Sequence, residues 1–146
     1  MKFESNNILL NVTANDQKEV LSLIANNAEK FGYTNDANAL KEDFINREKE
    51  FSTGFGNGVA IPHAKSNDVK EATVFFVRLN NGIDWNSMDD KPVKDIIAII
   101  VPANASKEHL DILAKLSRQI IHSEFIDKLN QGNQEEIFNL ISKTIS

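Results

Sequence analysis

Apolar positions recur along this chain in two rhythms, one helical and one extended. Residues 7–12 form a short apolar run that predicts a first strand. Val20, Leu21, Leu23, Ile24, Ala28 and Phe31 share one helical face. Asp16 stands ready to cap that helix, Glu19 lies at capping-box spacing, and Gly32 is its stop. Asn35 or Asp36 caps a second helix running to about Lys49, with Ala37, Leu40 and Phe44 on its inward stripe. Residues 59–61 and 73–79 are rich in β-branched or aromatic side chains, which predicts strands. Asn80-Asn81-Gly82 predicts a turn, and Trp85 anchors the polar stretch 84–91 into the core. Residues 93–101 are almost continuously apolar, isoleucine-rich and bounded by Pro92 and Pro102. A strand covered on both faces fits that run better than a helix. Ser106 caps a helix to about His122, and two amphipathic pieces follow: 124–129, and 134–145 after the Gly132 break.

Strands and helices alternate, so the expected fold class is α/β: a three-layer sandwich with a mixed β-sheet and helices on both faces. The 146 residues contain no repeat and no stretch rich in Pro, Gly or Ser. A single domain spanning 1–146 is expected. The net charge of -5 argues against a nucleic-acid partner. With no cysteine there is no disulfide or thiol chemistry, which fits a reducing cytoplasm. The N-terminus lacks the apolar segment of a signal peptide. The longest apolar run, 96–101, is far short of the ~20 residues of a membrane span.

Candidate chemistry gathers on the histidines, of which there are only three. His63 ends the unit Gly56-Asn57-Gly58-Val59-Ala60-Ile61-Pro62-His63. Glycines let backbone N–H groups approach an anion, and Pro62 restricts Ile61 to extended geometry. His63 would leave the strand end in a narrow range of directions, as a nucleophile toward a phosphoryl group requires. The alternative is a solvated loop histidine. Arg47 extends the inward stripe of the second helix by one turn, where its planar fork suits phosphate oxygens. It is equally placed to pair with Asp43 one turn earlier, or simply to favour a helix C-terminus. His109 falls in the first turn of its helix and shares a face with Ile112, Leu113, Leu116 and Ile120. A neutral imidazole there can donate to an anion held at the helix N-terminus, or can be a core histidine satisfied by a carbonyl. His122, near a helix C-terminus beside Ser123 and Glu124, reads as structural. The histidine spacing is not that of a zinc site, and Asp89-Asp90 reads as a solvated turn. No Gly-Lys-Ser/Thr follows the glycines, and there is no Gly-x-Ser-x-Gly elbow.

Residues 47–63, Arg-Glu-Lys-Glu-Phe-Ser-Thr-Gly-Phe-Gly-Asn-Gly-Val-Ala-Ile-Pro-His, resemble the signature of phosphotransferase-system (PTS) IIA domains of the fructose–mannitol type, the type-2 EIIA domains. Glu108-His109-Leu110, followed by Leu113 and Leu116, is similar to the same family's second histidine helix. Gly82-Ile83-Asp84-Trp85 and the run before Pro102 also fit, so the resemblance covers essentially the whole chain. It implies a mixed sheet sandwiched by helices and a phosphotransferase that works through a phosphohistidine. HPr would be the phosphoryl donor. The cysteine of an EIIB domain would be the acceptor, and membrane EIIC an indirect associate. His63 would be the phosphorylated residue, with His109 and Arg47 stabilising the phosphoryl group. Two outputs stay open: sugar uptake of fructose type, and nitrogen-related regulation through protein binding.

The resemblance implies no cofactor. Arginine, backbone N–H groups and a helix N-terminus supply the positive charge that phosphoryl transfer needs. Transfer from phosphorylated HPr to His63 is therefore expected to proceed unchanged in excess chelator; loss of transfer would show a metal requirement.

Overall fold

The computed structural model describes residues 2–146. A single 3-10 turn leads into strand β1 (Ile8–Val12), followed by helices α1 (Gln17–Lys30) and α2 (Ala37–Glu50). Strands β2 (Gly54–Gly56), β3 (Val59–Ala60), β4 (His63–Ser66), β5 (Thr73–Ile83) and β6 (Val93–Pro102) come next. Helices α3 (Ser106–Gln119), α4 (Ser123–Gln131) and α5 (Gln134–Ile145) close the chain. No helix among the described residues is long and apolar enough to cross a membrane.

The caps explain where the helices begin. Asp16 accepts from Glu19 N at 2.9 Å and Asp36 from Ala39 N at 3.0 Å. Asn133 and Glu136 form a reciprocal capping box at the start of α5. Gly32, at φ +83, ends α1. Helix α3 departs from expectation: Ser106 is its first residue and Ala105 holds the cap position without a side-chain bond. The Ser106 side chain lies outside the described residues.

The sheet runs β1-β5-β6-β3-β2, with β4 also on β6. Strand β6 is antiparallel to β5 and parallel to both β3 and β4. One face packs α1 and α2 around Leu21, Ile24, Leu40, Phe44 and Phe75; the other packs α3, α4 and α5 around Phe76, Ile97, Leu116, Leu129 and Ile141. This is the three-layer α/β sandwich expected from the alternation of elements.

Two local expectations fail. Asn80–Gly82 is not a turn: β5 continues to Ile83, and these exposed residues bulge out of the ladder between Arg78↔Asp95 and Ile83↔Val93. The chain reverses later, in the stretch anchored by buried Trp85. The glycine loop is not an anion cradle. Asn57 and Gly58, both with positive φ, form a two-residue hairpin between β2 and β3. The Asn57 N–H goes to the Asp89 carboxylate, and Gly58 O accepts from Asp95 N.

One buried acid interrupts the apolar sheet. Arg78 and Asp95 stand opposite each other on β5 and β6. The Arg78 guanidinium donates to Leu129 O and Gly132 O at the end of α4 and lies 3.9 Å from Asp95. Neither Asp95 carboxyl oxygen has a hydrogen-bond partner among the described residues. Burial pushes the Asp95 carboxyl up to about 6, against the opposing pull of Arg78 and Lys94. The native chain thus holds a proton that the unfolded chain releases above 3.8. This contribution is full below that value and is lost as pH rises through about 6. Asp95→Asn should therefore stabilise the protein relative to wild type by an amount that grows between about pH 4 and 7, to roughly 3 kcal/mol at most. Denaturant unfolding of both proteins across that range checks it; a pH-independent difference would contradict it.

Candidate functional site

Pro62 has no N–H, so the strand that β3 begins alongside β6 breaks there and resumes at His63. Ile99 N still donates to Pro62 O at 2.9 Å, which keeps the ladder in step. His63 therefore opens β4 opposite Ile99, rather than projecting beyond a strand end. Its ring is buried, only 5% exposed. Its Nδ1–H donates to Ile61 O at 2.8 Å. A carbonyl can only accept, so the proton sits on Nδ1 and Nε2 presents a lone pair. Arg47 Nε donates to that Nε2 at 3.0 Å. The ring is held from both nitrogens in a single tautomer.

Arg47 reaches this position from the last turns of α2, with a second bond from Nη1 to Phe51 O at 2.8 Å. It forms no ion pair with Asp43 among the described residues; the inward stripe carries it to the histidine instead. His109 lies in the first turn of α3, where its N–H bonds to Ala105 O at 3.1 Å. Its ring meets His63 edge-on, with centroids 4.8 Å apart and planes at 74°. Its Nδ1 is buried without a hydrogen-bond partner among the described residues. The structure thus brings His63, His109 and Arg47 together around one open cleft of about 520 Å³. His122 is not part of it: it is exposed and holds the cap position of α4.

Beyond Asp43, two further charged residues line the cleft, Glu50 and Lys65. Both had a signal in the sequence. Glu50 follows Arg47 by three residues on α2, and Lys65 follows His63 by two on a strand, so each shares a face with its neighbour. The anchoring carbonyls of Phe51 and Ile61 left no such signal, because every residue has one.

Burial is the main force on both imidazoles. It pushes His63 below the usual histidine value, with the Arg47 charge acting the same way, while the Ile61 bond and Glu50 act against it. His109 is pushed down to about 4, first by burial and then by His63, Lys65 and Arg47. Both rings are neutral at pH 7. What results is a nucleophilic nitrogen, a fixed planar cation beside it, and a second neutral imidazole at a helix start.

Ring-proton NMR titration should show His109 charging only near pH 4 and His63 below the ordinary value of 6.5. Arg47→Met removes a cation that favours neutral His63, so its midpoint should rise; an unchanged or lower midpoint would contradict the arrangement.

Residues 1–144 match the family model described as "Phosphoenolpyruvate-dependent sugar phosphotransferase system, EIIA 2". A PTS system fructose-like EIIA component from Escherichia coli is 38% identical over 137 residues, covering 94% of this chain and 93% of that protein. The solved structure of nitrogen regulatory protein IIA-Ntr from Neisseria meningitidis superimposes with a TM-score of 0.89 at 30% identity, over 95% of each chain. The fold is also that of the mannitol enzyme IIA in its complex with phosphorylated enzyme IIB from Escherichia coli, with a TM-score of 0.81 at 20% identity, over 97% of this chain and 99% of that one. By its sequence along nearly its whole length, and by the fold that sequence adopts, the chain belongs to the EIIA type-2 family of the sugar phosphotransferase system.

Proposed function

We propose that this chain, as one domain over 1–146, is a phosphoryl carrier that takes its phosphoryl group from phosphorylated HPr onto His63 Nε2. It passes the group to the cysteine of an EIIB domain for sugar uptake coupled to membrane EIIC. The observation that carries this reading is the doubly held ring: Nδ1–H on Ile61 O and Nε2 facing Arg47.

The lone pair of Nε2 attacks phosphorus in line with the bond to the donor histidine. That P–N bond breaks, and its electron pair returns to the donor nitrogen. The His63 ring gains positive character as the new bond forms, and the Ile61 carbonyl stabilises the Nδ1–H that shares it. Arg47 Nε now occupies the line of approach, so the guanidinium moves aside and takes the phosphoryl oxygens with its fork. His109 is neutral at pH 7 and donates a ring N–H to another of those oxygens. No proton leaves or enters the site in the step, which suits two buried imidazoles. Transfer to the EIIB cysteine repeats the displacement in reverse order, with the thiolate as nucleophile.

A fructose-type transport role is supported by the fructose-like relative, which matches over nearly its whole length. The second reading is regulatory, supported by the IIA-Ntr structure. It uses the same phosphohistidine, with phosphorylation-dependent protein binding as its output.

Incubation with phosphoenolpyruvate, Enzyme I and HPr should yield an acid-labile, alkali-stable phosphate that His63→Ala abolishes. Arg47→Ala and His109→Ala should remain folded and slow the relay by about 10²-fold, the usual scale for one stabilising group. Normal rates in both would leave His63 working alone. Offering a fructose-type EIIB then separates the outputs: discharge supports transport, and retention supports regulation.

A further inference from the structure

Arg47 and Glu48 are neighbours in the last turn of α2, and their side chains serve different partners. Arg47 meets His63, whereas the Glu48 carboxylate gathers donors from the chain just beyond the helix. Its Oε2 accepts from Thr53 N at 3.1 Å. Its Oε1 accepts from the Thr53 hydroxyl and from Trp85 Nε1, the latter at 3.4 Å. Trp85 Nε1 also donates to Thr53 Oγ1 at 3.0 Å. Thr53 and Trp85 are almost wholly buried.

Thr53 lies between the two carbonyls that hold the site. Two residues before it, Phe51 O receives Arg47 Nη1. Across from it, Ile61 N donates to Thr53 O at 2.9 Å, and the Ile61 carbonyl receives His63 Nδ1–H. The two carbonyls that anchor Arg47 and His63 thus lie within two residues, or one hydrogen-bonded pair, of the residue that Glu48 clamps. Ser52 adds a stitch, donating to Trp85 O at 2.8 Å while accepting from Gly54 N.

We propose that Glu48 is a positioning residue for phosphoryl transfer: by clamping Thr53 it sets the direction of the Arg47 fork and the tautomer of His63. The effect on rate rests on the reading of His63 as phosphoryl acceptor; the effect on the ring does not. Phosphoryl transfer is sensitive to such placement, since displacement by about 1 Å can cost around 10²-fold in rate.

The experiment uses the whole chain with Glu48→Ala, Thr53→Val and Glu48→Gln. Glutamine can still accept from Thr53 N and can donate to Thr53 Oγ1, so it is the conservative rescue. In the unphosphorylated protein, 15N ring shifts of His63 should move from a single Nδ1–H tautomer toward a mixture in Glu48→Ala and Thr53→Val. They should stay close to wild type in Glu48→Gln. Phosphorylation by phosphorylated HPr should slow about tenfold or more in the first two and recover in the third. Ile141→Val, a core change on the far side of the sheet, controls for lost stability and should alter neither readout. An unchanged ring signature in folded Glu48→Ala, or equal ring changes in Ile141→Val at similar stability, would overturn the proposal. A wild-type chain that takes up no phosphoryl group would overturn the functional reading instead, with the ring measurement still deciding the role of Glu48.

Discussion

Between Ile96 and Val101, strand β6 exposes no side chain to water, and a strand on each side satisfies its backbone. A strand covered on both faces cannot move or slip by one residue without turning apolar groups into the wrong layer. Everything paired to it inherits that rigidity. The line of β3 and β4 along β6 is broken by Pro62, yet Pro62 O still receives Ile99 N, so His63 re-enters the sheet in a fixed register. The His63 imidazole therefore starts a strand paired to the buried centre of the sheet. Catalytic side chains gain accuracy when they stand on such elements rather than on loops.

Burial then sets the charge state of what the sheet holds. It disfavours charge of either sign, so it lowers the two imidazoles and raises the Asp95 carboxyl. The same physics has opposite uses at the two places. At His63 it keeps a lone pair available, and Arg47 supplies the cation from the cleft edge. At Asp95 it leaves a carboxyl without a hydrogen-bond partner among the described residues, beside a guanidinium whose donors go to the carbonyls ending α4. The first gives a nucleophile, and the second a linkage between stability and pH.

The elements were legible wherever local and tertiary preferences agree. Asp16 and Asp36 cap the helices that their spacing announces, and the isoleucine-rich run is the central strand. Misreadings occurred where a local signal had two physical outcomes. Asn80-Asn81-Gly82 can turn a chain or bulge from a ladder, and the pairing of Ile83 with Val93 beyond it selects the bulge. Asn57-Gly58 can expose N–H groups to an anion or close a hairpin. The donors of that loop are instead consumed by Asp89, and the hairpin closes at the end of β3 remote from His63.

By itself, the order of residues determined the layers of the sandwich and the start of most helices, and its resemblance to a known family singled out His63, His109 and Arg47 as candidates. Periodicity and capping are properties of neighbours along a chain, so they can be read there. Only the tertiary structure decided that Arg47 faces His63 and not Asp43, that His109 meets His63 edge-on, and that Ile61 O selects the tautomer. Those contacts join α2, the β3–β4 break and α3. Their geometry depends on how these elements pack across β6, a relation that sequence spacing does not encode.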